Sequence, residues 1–167
     1  MWLRGPFPGV PALLQPVAHG LLQCREEVTA LVGGLTPAQV WARPGGAASI
    51  GFHVRHAAGS LDRLFTYARG ERLSQAQREA LAGEESPDLS PDVDRQLVAA
   101  FDHAVEQALE QLRTTSEATL LDARSVGRGQ LPSTVLGLLF LAAEHTQRHA
   151  GQLVTTVKAL SAQSPNS

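Results

Sequence analysis

The chain has 167 residues, of which 43% are hydrophobic and 18% are charged, and its formal net charge at neutral pH is −2. This balance is typical of one globular domain with a core of its own and excludes an intrinsically disordered protein. The near-neutral charge and the scattered arginines also argue against a nucleic-acid partner.

The first long helix is predicted within Pro11 to Val32, before Gly33 and Gly34, which end it. Apolar residues recur there at spacings of three and four, as on the core-facing side of a helix. They are Leu14, Val17, Leu21, Cys24, Val28 and Leu31. Pro16 either bends this helix or marks its true start. Thr36-Pro37 then predicts a short helical turn, with threonine as its cap.

The second long helix is predicted from about Ala48 to Ala68. Its apolar stripe consists of Ile50, Val54, Ala57, Leu61, Leu64 and Ala68. A minor helix follows, because Ser74 and Gln77 form a capping-box pair and Gly83 provides a stop signal.

The third long helix is predicted to open at Ser90-Pro91, and the fourth to run from near Pro132 or Ser133 to about Ala162. No strand-like alternation of useful length is found. Four long helices in a small domain predict an all-α fold, a four-helix bundle with a long crossover between its second and third helices. We expect one domain over residues 1–163 and a disordered tail over 164–167.

Two features bear on location. The prolines before Gly20 do not form the apolar core of a signal peptide. The most apolar run, Leu131 to Ala143, is shorter than the roughly 20 residues that a membrane-spanning helix needs. We therefore expect a cytoplasmic protein without a membrane partner. Cys24 is the sole cysteine, so an intrachain disulfide is excluded.

Six histidines are present, and two of them are predicted to lie on the surface. His19 follows the apolar residue Val17 by two positions, and His103 follows Phe101 by two. Two positions are about 200° around a helix, so each histidine points away from the apolar stripe.

The pair His145 and His149 is more informative, because residues four apart lie on the same helix face. The apolar stripe runs into this pair and resumes at Leu153, so both side chains are predicted to project inward. Two such imidazoles can bind one metal ion, although two hydrogen-bonded core histidines would give the same spacing. A zinc-peptidase motif would need glutamate where Thr146 stands, so a peptidase is disfavoured.

A third ligand would come from another helix, since metal sites in bundles combine facing helices. The second helix offers His53 and His56. On a helical wheel, His53 lies nearer the apolar stripe, so periodicity alone favours His53.

Two segments together resemble the DinB-like superfamily, damage-inducible bundle proteins that include metal-dependent thiol transferases. Residues 49–60 read SIGFHVRHAAGS, where His56 matches the family's histidine followed by small and apolar residues. Residues 144–153 read EHTQRHAGQL, which matches His-x-x-x-His followed closely by Gly-Gln and an apolar residue.

The resemblance implies a bundle that binds one divalent metal ion, and imidazole donors favour zinc or nickel as that metal. The ligands that it implies are His56, His145 and His149. The residues that it leaves around the ion or in the pocket are His53, Gln152 and Arg148. The family often has a basic residue directly after the last histidine, where this chain has Ala150, so the substrate preference of the family is not carried over.

Three neutral imidazoles leave coordination positions open, which favours catalysis over a structural role. The resemblance suggests an enzyme that transfers a low-molecular-weight thiol to an electrophilic small molecule. One rival hypothesis is a non-enzymatic metal-binding stress-response protein, a homodimer through Val135 to Ala143. Another is a small-molecule pocket lined by histidines without a metal.

Overall fold

The computed structural model describes residues 5–163. The helices in this part of the chain are α1 (Gln15–Val32), α2 (Pro37–Trp41), α3 (Ile50–Ala68), α4 (Gln75–Ala82), α5 (Val93–Thr114) and α6 (Val135–Gln163). Short 3-10 helices lie at Ala12–Leu14, Pro44–Gly46 and Glu117–Thr119, and two strands are β1 (Ala123–Val126) and β2 (Leu131–Thr134). The mostly helical class predicted from the sequence is confirmed. The predicted disordered tail, 164–167, lies outside the described residues.

The four long helices enclose a shared core. Helix α1 packs against α5 and α6, and α3 packs against the same two helices. Large, fully buried side chains come from each of them: Leu21, Leu61, Phe101 and Leu138. Burial of such a side chain contributes about 1.5–3 kcal/mol. Among the described residues, no helix has both the length and the apolar character to cross a membrane.

Local capping signals explain where several helices begin. The Thr36 and Ser74 hydroxyls each accept a hydrogen bond from the third residue of the helix that follows, in complete capping boxes. Ser49 caps α3 in the same way, by accepting from the Phe52 amide at 3.2 Å. Pro16 lies in the first turn of α1, so it marks the start of that helix.

The expectation that the chain forms no strand is wrong. Strands β1 and β2 pair antiparallel, with Ala123 opposite Thr134 and Val126 opposite Leu131. Gly127 and Gln130, both at positive φ, turn the chain between them. The fourth helix, predicted to begin near Pro132 or Ser133, begins slightly later as α6 at Val135, because those two residues lie in β2.

The surface position predicted for His19 is wrong as well. The residue is only 8% exposed. A wheel with one apolar stripe assumes one buried face, whereas α1 is covered by both α5 and α6. His103, by contrast, is exposed as predicted.

The apolar stretch at the start of α6 is divided between core and surface. Leu138 and Leu139 are fully buried, whereas Phe140 is 61% exposed and Leu141 is 43% exposed. The stretch thus contributes to the core and also leaves apolar side chains on the surface.

The crossover after α4 is fastened to α3. Arg55 donates to the carbonyl of Ser86 at 2.6 Å and lies 3.5 Å from the Asp88 carboxylate. The Trp41 indole donates to the Asp88 carbonyl at 2.7 Å, and its ring fits against α3 because Gly51 has no side chain. A Cβ at Gly51 would lie 2.7 Å from that ring. These contacts hold the segment after α4 against the histidine-bearing helix.

Candidate metal centre

Three histidines from two packed helices converge at one point. His56 projects from α3, and His145 and His149 project from α6, the helix that packs against it. One nitrogen from each ring lies within 4.8 Å of the other two. Of the described residues, these three form the group of donors that could hold a metal ion.

The spacing of the nitrogen atoms suits a single ion. The Nε2 atoms of His56 and His145 are 3.0 Å apart. Two nitrogens bound to one tetrahedral zinc ion at its usual distance are about 3.3 Å apart. The His149 ring centroid lies 4.6 Å from that of His56 and 4.7 Å from that of His145. The donor set and its spacing therefore fit zinc or a similar divalent ion.

A buried carboxylate orients His56. Oε2 of Glu84 accepts a hydrogen bond from Nδ1 of His56 at 2.7 Å, and Glu84 is only 5% exposed. With the proton on Nδ1, the lone pair of Nε2 faces His145. A carboxylate that fixes the tautomer of a ligand histidine also makes that ligand more basic.

Arg63 compensates the buried charge of Glu84. Its Nη1 donates to Oε1 of Glu84 at 2.7 Å, and its Nη2 donates to the Ser60 hydroxyl at 3.2 Å. Gly59 leaves room for the pair, because a Cβ there would lie 2.6 Å from Nη1 of Arg63 and 2.7 Å from Oε1 of Glu84. The carboxylate is thus held in place on both of its oxygens.

His53 lies beside this group and is buried. Its Nδ1 is 3.1 Å from Nδ1 of His149, so one of these two nitrogens donates to the other. A proton on Nδ1 of His149 leaves Nε2 of that ring as the free donor atom. The wheel located His53 correctly on the buried face, but His56 is the α3 histidine that joins the group of three.

The electrostatics of the site favour uncharged imidazoles. Burial is the largest cause that lowers the pKa of His53, His145 and His149, and the nearby His56 lowers all three further. The pKa of His149 falls to about 4. These rings are therefore neutral at pH 7, which is the form that binds a metal.

Three other residues considered from the sequence are not among the nitrogen donors of the group. Arg148 is largely exposed and pairs with Glu144 one turn earlier on α6, and Gln152 is exposed. Thr146 is fully buried, and its hydroxyl donates to the Ala142 carbonyl at 2.7 Å. The residue in the place of the peptidase glutamate therefore makes a hydrogen bond within its own helix.

Cys24 is buried in the core. Burial, with a smaller effect of Glu27, raises the pKa of its thiol to about 12. A thiol of this kind is not a nucleophile at neutral pH.

A cavity of about 360 Å³ opens beside the histidines. His56 and His145 line it, and Leu64, Leu73 and Leu141 contribute apolar side chains to its wall. A small molecule in this cavity would lie directly against two of the three nitrogen donors.

Sequence reasoning did not identify Glu84 or Arg63 as parts of the site. Neither stands in a motif: Glu84 follows the stop signal of a minor helix, and Arg63 is one of thirteen arginines. Phe52 stacks on His56 with ring centroids 5.2 Å apart, and the sequence of α3 gives no signal of this contact. Their roles depend on how the crossover folds back onto α3, which no local pattern encodes.

Comparisons with known proteins agree with the family resemblance. The model of the family described as the DinB superfamily matches residues 21–153. A crystal structure described as that of the conserved protein of locus from Enterococcus faecalis has 19% identity and a TM-score of 0.69, over 90% of this chain and 98% of that chain. At this identity the likeness shows a shared fold alone. No curated protein matches the chain.

Proposed function

Because the chain belongs to the DinB superfamily, we propose that it is a metal-dependent transferase. In this proposal His56, His145 and His149 hold one divalent ion, zinc or nickel, and a low-molecular-weight thiol is transferred to an electrophilic small molecule. The single observation that carries it is the convergence of three histidine rings from two helices, two of which line an open cavity. We also propose that the four long helices form a four-helix bundle. This bundle is one domain over residues 1–163.

The donor set supports a catalytic site rather than a structural one. Structural zinc sites are usually closed by four protein ligands, whereas catalytic sites use three and leave a position open. The cluster contains three histidines, and Cys24 lies in the core with its thiol protonated. When bound, a divalent ion would supply Lewis acidity, which deprotonates a thiol that is mostly protonated at neutral pH.

The residues around the cluster would orient and enclose the reactants. Glu84 and His53 lie against the Nδ1 atoms of His56 and His149, which would leave the other nitrogen of each ring to bind the ion. The apolar wall of the cavity would exclude water from the reacting atoms. During transfer, the sulfur bonds to the electrophilic carbon, the leaving group departs with its electron pair, and the thiol proton passes to solvent.

A direct test combines metal-loaded protein with a panel of thiols and a chromogenic electrophile. We expect a rate increase that requires both metal and thiol and that is lost in His149→Ala. His103→Ala is the matched control, because that histidine is exposed and lies on α5, whereas the cluster lies on α3 and α6. Equal rates from wild type and His149→Ala across the panel would support the rival hypothesis of a non-enzymatic metal-binding protein.

A further inference from the structure

A second, larger cleft adjoins the histidine cavity. It has a volume of about 1100 Å³ and lies between α3, the α4 segment and the β-hairpin. Both spaces are lined by Tyr67, Leu73 and Leu81, so they meet at these residues. A molecule that starts at the histidines and passes this boundary enters the larger cleft.

The larger cleft is rich in arginine. Its lining includes Arg72, Arg78, Arg124 and Arg128. Within the described part of the chain, none of the four lies at ion-pair distance from a carboxylate. Glu71 also lines the cleft, but its carboxylate is paired with Arg69 at 2.9 Å. The cleft therefore carries an excess of positive charge.

Two of these arginines are held in position by neutral partners. Nε of Arg124 donates to the Ala68 carbonyl at 2.8 Å, and Arg78 donates to the Leu73 carbonyl. Backbone carbonyls orient a guanidinium without cancelling its charge. Such groups bind carboxylate or phosphate through paired hydrogen bonds.

The periodicity of α3 gives the length of the path. His56, Ser60, Arg63 and Tyr67 recur at helical spacing, and each lines the histidine cavity. From His56 to Tyr67 the helix rises by about 16 Å at 1.5 Å per residue. A ligand that reaches from the histidines to the arginines is thus elongated.

We propose that the arginine cleft binds the anionic end, a carboxylate or phosphate group, of the thiol whose sulfur lies at the three histidines. This inference rests on the function proposed above and narrows its thiol to a long molecule with an anionic tail. The apolar boundary of Tyr67, Leu73 and Leu81 contacts the middle of that molecule.

The test uses two matched pairs of thiols and isothermal titration of the full chain. 4′-Phosphopantetheine is compared with pantetheine, which has the same thiol arm without the phosphate. Glutathione is compared with its diethyl ester, which lacks the carboxylate charges. We expect the anionic member of at least one pair to bind more tightly, and the pair that shows the preference identifies phosphate or carboxylate as the group recognised.

The variant is Arg72→Gln/Arg128→Gln, which removes two exposed charges of the cleft. It should weaken the binding of the anionic probe by about tenfold. The binding of the neutral probe and the retention of metal should be unchanged. The control, Arg95→Gln/Lys158→Gln, removes the same charge from exposed positions on α5 and α6. Equal binding within both pairs, or equal weakening by both double variants, would overturn the proposal.

Titrations with and without zinc separate this proposal from the function on which it rests. Arginine-dependent binding without any gain on zinc loading supports the anion cleft and contradicts a thiol-binding metal centre. If zinc loading raises the affinity for the thiols and the arginine variant does not lower it, the metal centre is supported and the anion cleft is overturned.

Discussion

Oε2 of Glu84 accepts a 2.7 Å hydrogen bond from Nδ1 of His56, across 28 positions of sequence. The carboxylate comes from the crossover, whereas the imidazole comes from α3. The contact joins the crossover to the proposed metal centre, and it fixes which nitrogen of His56 faces His145.

Glu84→Gln should therefore weaken zinc binding, because the amide keeps the shape of the side chain but loses its charge. We expect a loss of about 10–100-fold, measured by competition with a chromogenic chelator. The matched control is Glu85→Gln, the exposed neighbour. Circular dichroism should first verify folding, since the variant leaves Arg63 buried beside an uncharged partner. Wild-type affinity in a folded Glu84→Gln protein would contradict the positioning role.

Two neighbouring histidines of α3 should differ in their effect on metal affinity. His56→Ala should weaken binding severely, because it removes a proposed ligand. His53→Ala should weaken it by about 10–100-fold, because it removes the partner of His149 Nδ1. The same chelator competition measures both affinities. A reversed order would show that His53 is the ligand and that the motif match to His56 is misleading.

Acid should destabilise the metal-free protein through His149. Its folded pKa of about 4 lies below the ordinary 6.5, so the unfolded chain binds more protons between these values. The free energy of unfolding should therefore fall as the pH drops through this window, by up to about 1.4 kcal/mol per pH unit for one proton. Urea unfolding at several pH values measures the slope. His149→Gln should reduce it, while His103→Gln, at an exposed site, should not; an unchanged slope in His149→Gln would argue against a depressed pKa.

Cys24 should be unreactive in the native protein. With a thiol pKa of about 12, only about one molecule in 10⁵ carries the thiolate at pH 7. Labelling with Ellman's reagent should follow global unfolding, and urea should release one reactive thiol per chain. Complete labelling of the folded protein within minutes would show that the thiol is accessible, and Cys24 would then be a candidate nucleophile.

The helices were largely predictable because their signals are local. The capping boxes at Thr36 and Ser74 and the cap at Ser49 act within four residues of the chain. The β-hairpin was missed because its strands have four residues each and lack a buried apolar face. Pro132 resembled the first turn of a helix but lies in β2.

The site was predictable only in part. The spacing of His145 and His149 indicates a shared face, and the family resemblance points to His56 rather than His53. A wheel cannot decide between the last two, because α3 packs against both α5 and α6 and so buries more than one stripe. Glu84 and Arg63 join the site through tertiary contacts between separate segments, so no local pattern indicates them.

In the proposed metal centre, three histidines hold one metal ion. The most direct measurement is metal analysis of purified protein after loading with zinc or nickel and desalting in the presence of a weak chelator. We expect about one ion per chain for wild type and for His103→Ala, and none for His149→Ala, because three imidazoles retain an ion that two do not. Retention of the same stoichiometry by His149→Ala, or of no metal by wild type, would contradict it.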